Sequence, residues 1–173
     1  MLRADIVVNN LTGTAFTRGE VRLQSDGSPW RPLVHIEDIA RAFLAALEAP
    51  REAIHDQAFN VGRDEDVVQI RDVAIQVSEA LGCPVTFADG ASPDKRDYRV
   101  DFTKIGRLLP AFQPQWTVAQ GITQLAADMA LFGLTAEDFE GPRFVRLARI
   151  RQLLSEGRLN DDLRITSPQG ATR

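Results

Sequence analysis

The sequence predicts an α/β fold, because short strand-like segments alternate with amphipathic helical segments along its 173 residues. Val21 to Gln24 alternates apolar and polar residues, as a half-buried strand does. Residues 25–29, Ser-Asp-Gly-Ser-Pro, predict a turn, since Asp and Ser bond locally, Gly permits positive φ and Pro fixes φ. Trp30 to Ile36 is predicted to be a second extended segment, interrupted by Pro32.

Two central segments have helical spacing and defined ends. In the segment 38–49 apolar residues recur every four positions, Asp38 is predicted to cap the start, and Pro50 prevents continuation. The segment 69–81 repeats this pattern and is followed by Gly82, a residue suited to a helix end. The apolar stripe of the first helix consists of Ile39, Phe43, Leu44 and Leu47.

Later segments continue the alternation. Thr117 and Gln120 predict a capping box at the start of a helix that reaches Phe132, and Pro142 suits the first turn of another helix. Further short strands are predicted at Gln57 to Gly62 and at Pro84 to Ala88.

The opening segment, Asp5 to Leu11, is ambiguous by pattern. Ile6-Val7-Val8 favours a strand by propensity, whereas Asn9-Asn10 and the residues that follow are compatible with a helix.

Composition excludes several classes of protein. The chain is 44% hydrophobic, which is too apolar for a disordered protein, and no apolar run approaches the roughly 20 residues of a membrane span. The net charge of −4, without a basic stripe, gives no support to nucleic-acid binding. One cysteine rules out an internal disulfide. Since no signal peptide follows Met1, a cytoplasmic protein is expected.

Residues for catalysis or metal binding are few. His35 is interpreted as a partly buried histidine with a hydrogen-bond partner, His55 as a solvated loop residue, and Cys83 as structural. The two histidines lack metal-ligand spacing, so no metal site is predicted. The scattered glycines do not form the loop that cradles the pyrophosphate of a dinucleotide.

Arginines near turns are the remaining candidates. Arg31 follows the Gly-Ser-Pro turn, and Lys95 and Arg96 lie in a polar stretch that also contains Asp94 and Asp97. The guanidinium fork suits a phosphate, whereas a surface ion pair with one of these aspartates is the alternative. A further group is interpreted as the solvated flank of a helix, with burial against a partner subunit as the alternative: Arg143, Arg146, Arg149 and Arg151.

One segment of the sequence favours phosphate binding over a surface ion pair for these arginines, because it resembles a known family. Residues 25–40, Ser-Asp-Gly-Ser-Pro-Trp-Arg-Pro-Leu-Val-His-Ile-Glu-Asp-Ile-Ala, resemble the R-x-x-(V/I)-H-V-x-D-(V/L)-A element of extended short-chain dehydrogenases/reductases, the NAD-dependent sugar-nucleotide epimerases and dehydratases. Three further segments resemble that family in its order: Asn9-Asn10-Leu11, Phe59-Asn60-Val61-Gly62 and residues 98–105, Tyr-Arg-Val-Asp-Phe-Thr-Lys-Ile.

The resemblance implies the end of a Rossmann-type sheet plus the small mixed α/β substrate-binding domain over residues 1–133. Residues 134–173 would be a helical C-terminal extension with a frayed polar tail. It implies that Arg31 and Arg96 contact the diphosphate of a nucleoside-diphosphate sugar, with Asn9 and Asn10 nearby. It also makes residues 5–18 helical and gives Asp38 a structural role.

Two departures from the family pattern define what this chain is expected to do. Ala91 stands where many members have an arginine, which leaves diphosphate contact to Arg96 or Lys95. The family's glycine-rich NAD site and its Tyr-x-x-x-Lys dyad are absent, since the residue four after Tyr98 is Phe102. We therefore expect a C-terminal half that binds no NAD and has no catalytic residues by itself.

Two alternatives stay open. The chain could be a stand-alone, non-catalytic module that binds a nucleotide sugar or another protein. In a purely structural interpretation, the helices of residues 117–157 form an oligomer contact. The expected partners are the missing N-terminal half, a second copy of the chain or a nucleotide sugar, and neither nucleic acid nor a membrane.

Overall fold

The computed structural model describes residues 3–88 and 96–166. No helix within these two ranges is long and apolar enough to cross a membrane. The α-helices are α1 Val7–Arg18, α2 Ile36–Glu48, α3 Arg51–Ile54, α4 Ile70–Leu81, α5 Thr103–Leu108, α6 Val118–Leu131, α7 Ala136–Glu140 and α8 Arg146–Ser155. A 3-10 helix spans Asp64–Asp66.

Four short strands form two separate pairs. They are β1 Val21–Leu23, β2 Trp30–Pro32, β3 Val67–Gln69 and β4 Val85–Phe87. β1 and β4 are parallel, with Val21 opposite Val85, whereas β2 and β3 are antiparallel, with Trp30 opposite Gln69. A parallel pair with helices between its strands confirms the predicted mixed α/β class.

The main core lies where α1, α4 and α6 meet β1. Its fully buried side chains come from all four elements: Leu11, Val21, Leu23, Val73, Val77 and Ile122. A second cluster joins α2 to the region of α5 through Ala42, Ala45, Phe102, Ile105, Leu109 and Phe112. On α4 and α6 the buried apolar residues, among them Val73, Val77, Ile122 and Met129, recur at helical spacing.

Local signals determine several helix ends. Thr117 and Gln120 form the predicted capping box of α6. Gly82 ends α4 with φ of +66°, and Gly19 ends α1 with φ of +72°, conformations that cost glycine little. The ambiguous opening segment is helical from Val7 onward, as the family resemblance implied, since its residues pack on α4 and α6.

The predicted strand at Gln57 to Gly62 is wrong. The segment belongs to no strand pair in the described chain. Instead β2 pairs with β3, which the sequence analysis missed, because residues 64–66 turn the chain back alongside Trp30. Apolar alternation indicated that residues 57–62 can form a strand and gave no information about a pairing partner.

The buried side of helix α2 is opposite to the side that carries its large apolar residues. Its buried side is formed by Asp38, Ala42 and Ala45. The large residues of the predicted stripe point outward, with Phe43 68% and Leu47 83% exposed. The outward apolar residues are Ile36, Phe43, Leu44 and Leu47. The apolar side chains of α2 that pack on the rest of the fold are small alanines, and not the large residues of the stripe.

The start of the C-terminal extension is attached to α1. Phe139 is 4% exposed and packs against Gly13, where an added Cβ would lie 2.2 Å from the Phe139 ring. Next to this contact, Arg18 makes a two-point contact with Glu140, at 3.0 Å from Nε and 2.7 Å from Nη2. Gly13 is therefore a packing requirement of α1, because only a missing side chain admits the ring.

We predict that Gly13→Ala displaces the Phe139 ring and loosens α7. Overpacking of this kind costs about 1–3 kcal/mol of unfolding free energy. Urea denaturation measures the loss, and faster proteolysis within residues 135–144 shows that it arises at this contact.

Gly106→Ala is the matched control, because Gly106 lies in α5 and nothing lies within 4 Å of its added Cβ. Ala there is expected to stabilise the helix by up to about 1 kcal/mol. Equal responses of the two variants would contradict the importance of the Gly13 contact.

Candidate functional site

The buried carboxylate of Asp38 connects two distant parts of the chain. Asp38 is 2% exposed and accepts hydrogen bonds from the amides of Gln115, at 2.9 Å, and Trp116, at 3.0 Å. Arg41 completes the arrangement at 3.0 Å. Asp38 is therefore not the N-cap that the sequence predicted. The cap position belongs to His35, and Asp38 holds the loop that leads into α6.

His35 lies at the centre of this junction. Its ring stacks on Trp116 with centroids 4.0 Å apart and planes 15° from parallel. Nε2 lies 2.9 Å from Oε1 of Gln124, while the indole N–H of Trp116 donates to Glu37 at 3.0 Å. The structure agrees with the interpretation of His35 as a half-buried histidine with a partner, and these contacts indicate a structural junction.

A cleft of about 520 Å³ opens beside this junction. Its walls come from the start of α1, the loop before α2, and α6. Most of the lining is apolar: Ile6, Val7, Val8, Leu33, Val34, Ile36, Ile39, Trp116, Val118 and Leu125. Asn9 lines the cleft, but Asn10, Arg31 and Arg96 do not. The largely apolar walls do not suit a diphosphate.

The side chains of Asn9 and Asn10 form hydrogen bonds that connect the N-terminal segment to α1. The side-chain amide of Asn9 donates to the carbonyl of Arg3 at 3.0 Å, and that of Asn10 donates to the carbonyl of Ala4 at 3.1 Å. Each amide group carries a second hydrogen, so these contacts are compatible with one further acceptor. The structure shows a local fastening role for both residues.

Arg31 and Arg96 lie close together although 65 positions separate them. Nη1 of Arg31 donates to its neighbour's carbonyl, that of Trp30, at 2.7 Å, and also to the carbonyl of Arg96. Asp97 accepts from the amide of Trp30 at 2.8 Å. These bonds bring the strand β2 and the segment after residue 95 to one place. Lys95 and Ala91 lie outside the described residues.

Two cation–π contacts lie where β2 meets the segment after residue 95. The guanidinium carbon of Arg99 lies 3.6 Å from the centroid of Trp30, and that of Arg31 lies 5.4 Å from the centroid of Tyr98. Such contacts hold a guanidinium in a defined plane. We call Trp30, Arg31, Arg96, Asp97, Tyr98 and Arg99 the arginine cluster.

The sequence analysis missed part of this cluster. The sequence predicts Asp97 only as a surface ion-pair partner, whereas its carboxylate accepts a hydrogen bond from the backbone amide of Trp30. It predicts no role in the site for Trp30 or Arg99, which form a cation–π contact. Trp30 directly before Arg31 and Tyr98 two positions after Arg96 are visible signals, but the spacing along the chain does not show which pairs meet.

The one thiol of the sequence is not activated as a nucleophile. Burial raises the pKa of the Cys83 thiol, which disfavours the reactive thiolate. Burial also raises the pKa of Asp66, against the opposing effects of Arg63 and the amide of Val118. Within residues 3–88 and 96–166, no three His, Cys, Asp or Glu side chains gather as metal ligands do.

The family comparison agrees with the resemblance over the first third of the chain. A sequence model of the NAD dependent epimerase/dehydratase family matches residues 4–62. The match includes α1, both strands β1 and β2, and all of α2. It therefore contains Asn9, Asn10 and Arg31 but not Arg96.

Solved structures share the fold. A UDP-glucuronic acid 4-epimerase from Bacillus cereus, in complex with UDP-glucuronic acid and NAD, superposes with a TM-score of 0.62 at 20% identity, over 75% of this chain and 41% of its own. A dTDP-glucose 4,6-dehydratase from Bacillus anthracis, in complex with NAD, gives 0.61 at 17% identity, over 79% and 41%. A UDP-glucose 4-epimerase from Thermotoga maritima, with UDP-glucose, gives 0.59 at 24% identity, over 73% and 40%.

The chain spans about two fifths of the length of these solved structures. The structures are two epimerases and one dehydratase of sugar nucleotides, two of them in complex with NAD, and at this identity the likeness shows the fold. The fold class is therefore a partial Rossmann-type α/β arrangement.

We predict that Asp38→Asn destabilises the fold by about 2 kcal/mol, because one of the two loop amides loses its acceptor in a buried place. Urea denaturation followed by circular dichroism measures the change. Asp72→Asn is the control, since Asp72 occupies the same third position of its helix but has a side chain that is 47% exposed. Equal losses in both variants would show that helix position, and not the buried loop contact, matters.

Asp66 gives a prediction for pH. Because its pKa is raised in the folded state, the fold holds this proton more tightly than the unfolded chain does, and ionisation opposes folding. The stability of the natural chain relative to Asp66→Asn should therefore fall as pH rises from 3.8, the ordinary value, through the folded pKa. Urea midpoints of both proteins between pH 3 and 7 test this, and an increase over that range would contradict it.

Proposed function

We propose that this chain is the nucleoside-diphosphate-sugar-binding portion of an NAD-dependent epimerase or dehydratase. The observation that carries the proposal is the contact of the Arg31 guanidinium with the carbonyl of Arg96. The contact places the guanidinium of one arginine that the family resemblance assigns to the diphosphate against the backbone of the other, 65 positions away. The match over residues 4–62 supports the family and includes Arg31, and the solved structures support the fold.

The arginine cluster suits an anionic ligand by its chemistry. A guanidinium presents several N–H donors in one plane. Two of these N–H donors can bind oxygen atoms of the same diphosphate at once. The carbonyl contacts of Arg31 fix part of its fork, so less side-chain entropy is lost when a phosphate is bound. In this proposal Asn9 and Asn10 position the start of α1 through their hydrogen bonds to the carbonyls of Arg3 and Ala4.

The described residues do not fit NAD itself. A dinucleotide site places glycines at the start of a helix, whereas Gly19 and Gly82, which have left-handed backbone, lie at helix ends. The sequence also has no Tyr-x-x-x-Lys. In the proposal the cofactor and the acid–base residues belong to an N-terminal half of the fold, and this chain alone does not catalyse. A cytoplasmic location is part of the same proposal.

A second candidate is a stand-alone module that binds a nucleotide sugar or a protein without catalysis. The outward apolar face of α2 favours it, because an exposed apolar surface of this kind is typical of an interaction site. The two candidates differ in whether a cofactor-binding half accompanies the chain.

We predict that isolated chain binds UDP-glucuronic acid weakly and that Arg31→Ala weakens the binding by about 10-fold or more, the loss of one charge-assisted contact. Isothermal titration calorimetry measures both affinities. Arg22→Ala is the control, since Arg22 is an exposed arginine of β1, in the other strand pair.

Other results would contradict the proposal. Absence of heat with any nucleotide sugar would favour the interaction module, and an equal effect of Arg22→Ala would show only general charge attraction. Saturable micromolar binding of NAD to the isolated chain would contradict the assignment of the cofactor to another half.

A further inference from the structure

The helix of the C-terminal extension has an apolar side that packing leaves partly uncovered. Within the described chain no residue of α8 is buried, and Leu147 is 64% exposed. Ile150 and Leu154 are half-buried. At 3.6 residues per turn, these three side chains lie within an arc of about 60° on one side of the helix. Contacts inside the chain therefore explain only part of this apolar stripe.

Arginines border the stripe on both sides. By the same helical geometry, Arg146 lies about 40° from Ile150, and Arg151 lies about 40° from Leu147 on the opposite edge. Both arginines are exposed. Residues 142–155 contain four arginines and no acidic residue, although the whole chain has a net charge of −4. The stripe is therefore apolar in its centre and positively charged along its edges.

The two arginines at the edges are available to a ligand. Arg143 forms an ion pair with Asp138 at 3.1 Å, and Arg149 donates to a neighbouring glutamine at 2.7 Å. Arg146 and Arg151, by contrast, form no ion pair within the part of the chain that the structure describes. We call the following residues the α8 surface: Arg146, Leu147, Ile150, Arg151 and Leu154.

The turn after α8 contributes no net positive charge. Glu156 forms an ion pair with Arg158 at 3.6 Å, and Asp161 and Asp162 are exposed. Arg164 offsets only one of these two carboxylates. Attraction of an anionic ligand is therefore a property of α8 and not of the residues that follow it.

The size of the α8 surface favours a lipid bilayer over a groove in another protein. A helix of ten residues offers a side about 15 Å long and about 10 Å wide. A specific protein interface buries roughly 800 Å² on each partner, which is several times more. Helices that lie in the headgroup region of a bilayer need only an apolar stripe with basic residues along its edges. There the apolar side chains reach the acyl boundary, and guanidinium groups extend to the lipid phosphates.

We infer that the α8 surface binds an anionic phospholipid bilayer. Leu147 enters between the headgroups together with Ile150 and Leu154, while Arg146 and Arg151 bind lipid phosphates on either side. The attachment is peripheral, and it departs from the expectation that the chain has no membrane partner. The inference goes beyond the proposed function and does not depend on nucleotide-sugar binding, which is measured separately.

Co-sedimentation with vesicles tests the inference on the full chain of residues 1–173. We expect the chain to bind vesicles of equal parts phosphatidylglycerol and phosphatidylcholine about 10-fold or more tightly than vesicles of phosphatidylcholine alone, because only the former attract arginine. The comparison is made in about 0.1 M salt, and about 1 M salt should release the chain, since screening then acts over a few ångströms.

A pair of double variants separates the α8 surface from general charge attraction. Arg146→Gln combined with Arg151→Gln should weaken binding to the phosphatidylglycerol vesicles about 30-fold, or about 5-fold for each arginine. The matched control combines Arg22→Gln with Arg107→Gln, which changes the net charge equally at exposed positions of β1 and α5 and should leave the affinity nearly unchanged. Arg146→Lys combined with Arg151→Lys should retain most of the binding, because the charge is kept.

Tryptophan fluorescence locates the inserted side chain. The emission of Leu147→Trp should move to shorter wavelengths when phosphatidylglycerol vesicles are added, because the indole enters an apolar environment. Leu131→Trp is the control, since Leu131 is 77% exposed at the end of α6 and should show no such change. Both variants contain the same two natural tryptophans, and thermal unfolding should show that neither variant disturbs the fold.

Several results would overturn the inference. They are absence of vesicle binding, equal affinity for both kinds of vesicle, equal losses in the two glutamine double variants, and an unchanged emission of Leu147→Trp. Absence of vesicle binding together with a dimer in analytical ultracentrifugation that Leu147→Glu dissociates would assign the α8 surface to a second copy of this chain. Titration with UDP-glucuronic acid is unaffected by any of these results, so the failure of this inference and that of the proposed function are distinguishable.

Discussion

The position of α2 depends on the buried carboxylate of Asp38. Two loop amides and one guanidinium surround it, so its charge is compensated by directed donors although it is almost fully removed from water. Removing any partner would leave a buried charge incompletely bonded. The contact thereby fixes the distance between the start of α2 and the loop before α6, and it sets the His35–Trp116 stack between them.

The ends of α4 and the start of α6 were predicted correctly because their signals are local, whereas the helix predicted to start at Pro142 begins at Arg146. The capping box at Thr117 and the glycine after α4 act within one turn, so the sequence around them contains nearly all of the relevant physics. Strand pairing is not local. Residues 57–62 have the pattern of a strand, yet the pairing partner of Trp30 is the segment around Gln69. Alternation indicates which side chains share a face and contains no information about which strand lies next to it.

The same distinction applies to the site. The family resemblance selected Arg31 and Arg96, and the structure brings the first residue into contact with the backbone of the second. The supports of the cluster, Asp97 on the Trp30 amide and Arg99 on the Trp30 ring, come from a distant stretch of chain. Periodicity and spacing could not predict them. A three-dimensional fold was needed to show that the segment around Trp30 and the segment after residue 95 meet.

In helix α2 the side predicted to be buried from the apolar residues differs from the side that is buried in the structure. A stripe of large apolar residues predicts the side of a helix that faces a core, and here alanines occupy the buried side while Phe43 and Leu47 face outward. The pattern indicates that the segment is helical, whereas the buried side is determined by the contacts that Asp38 and the alanines make with other elements.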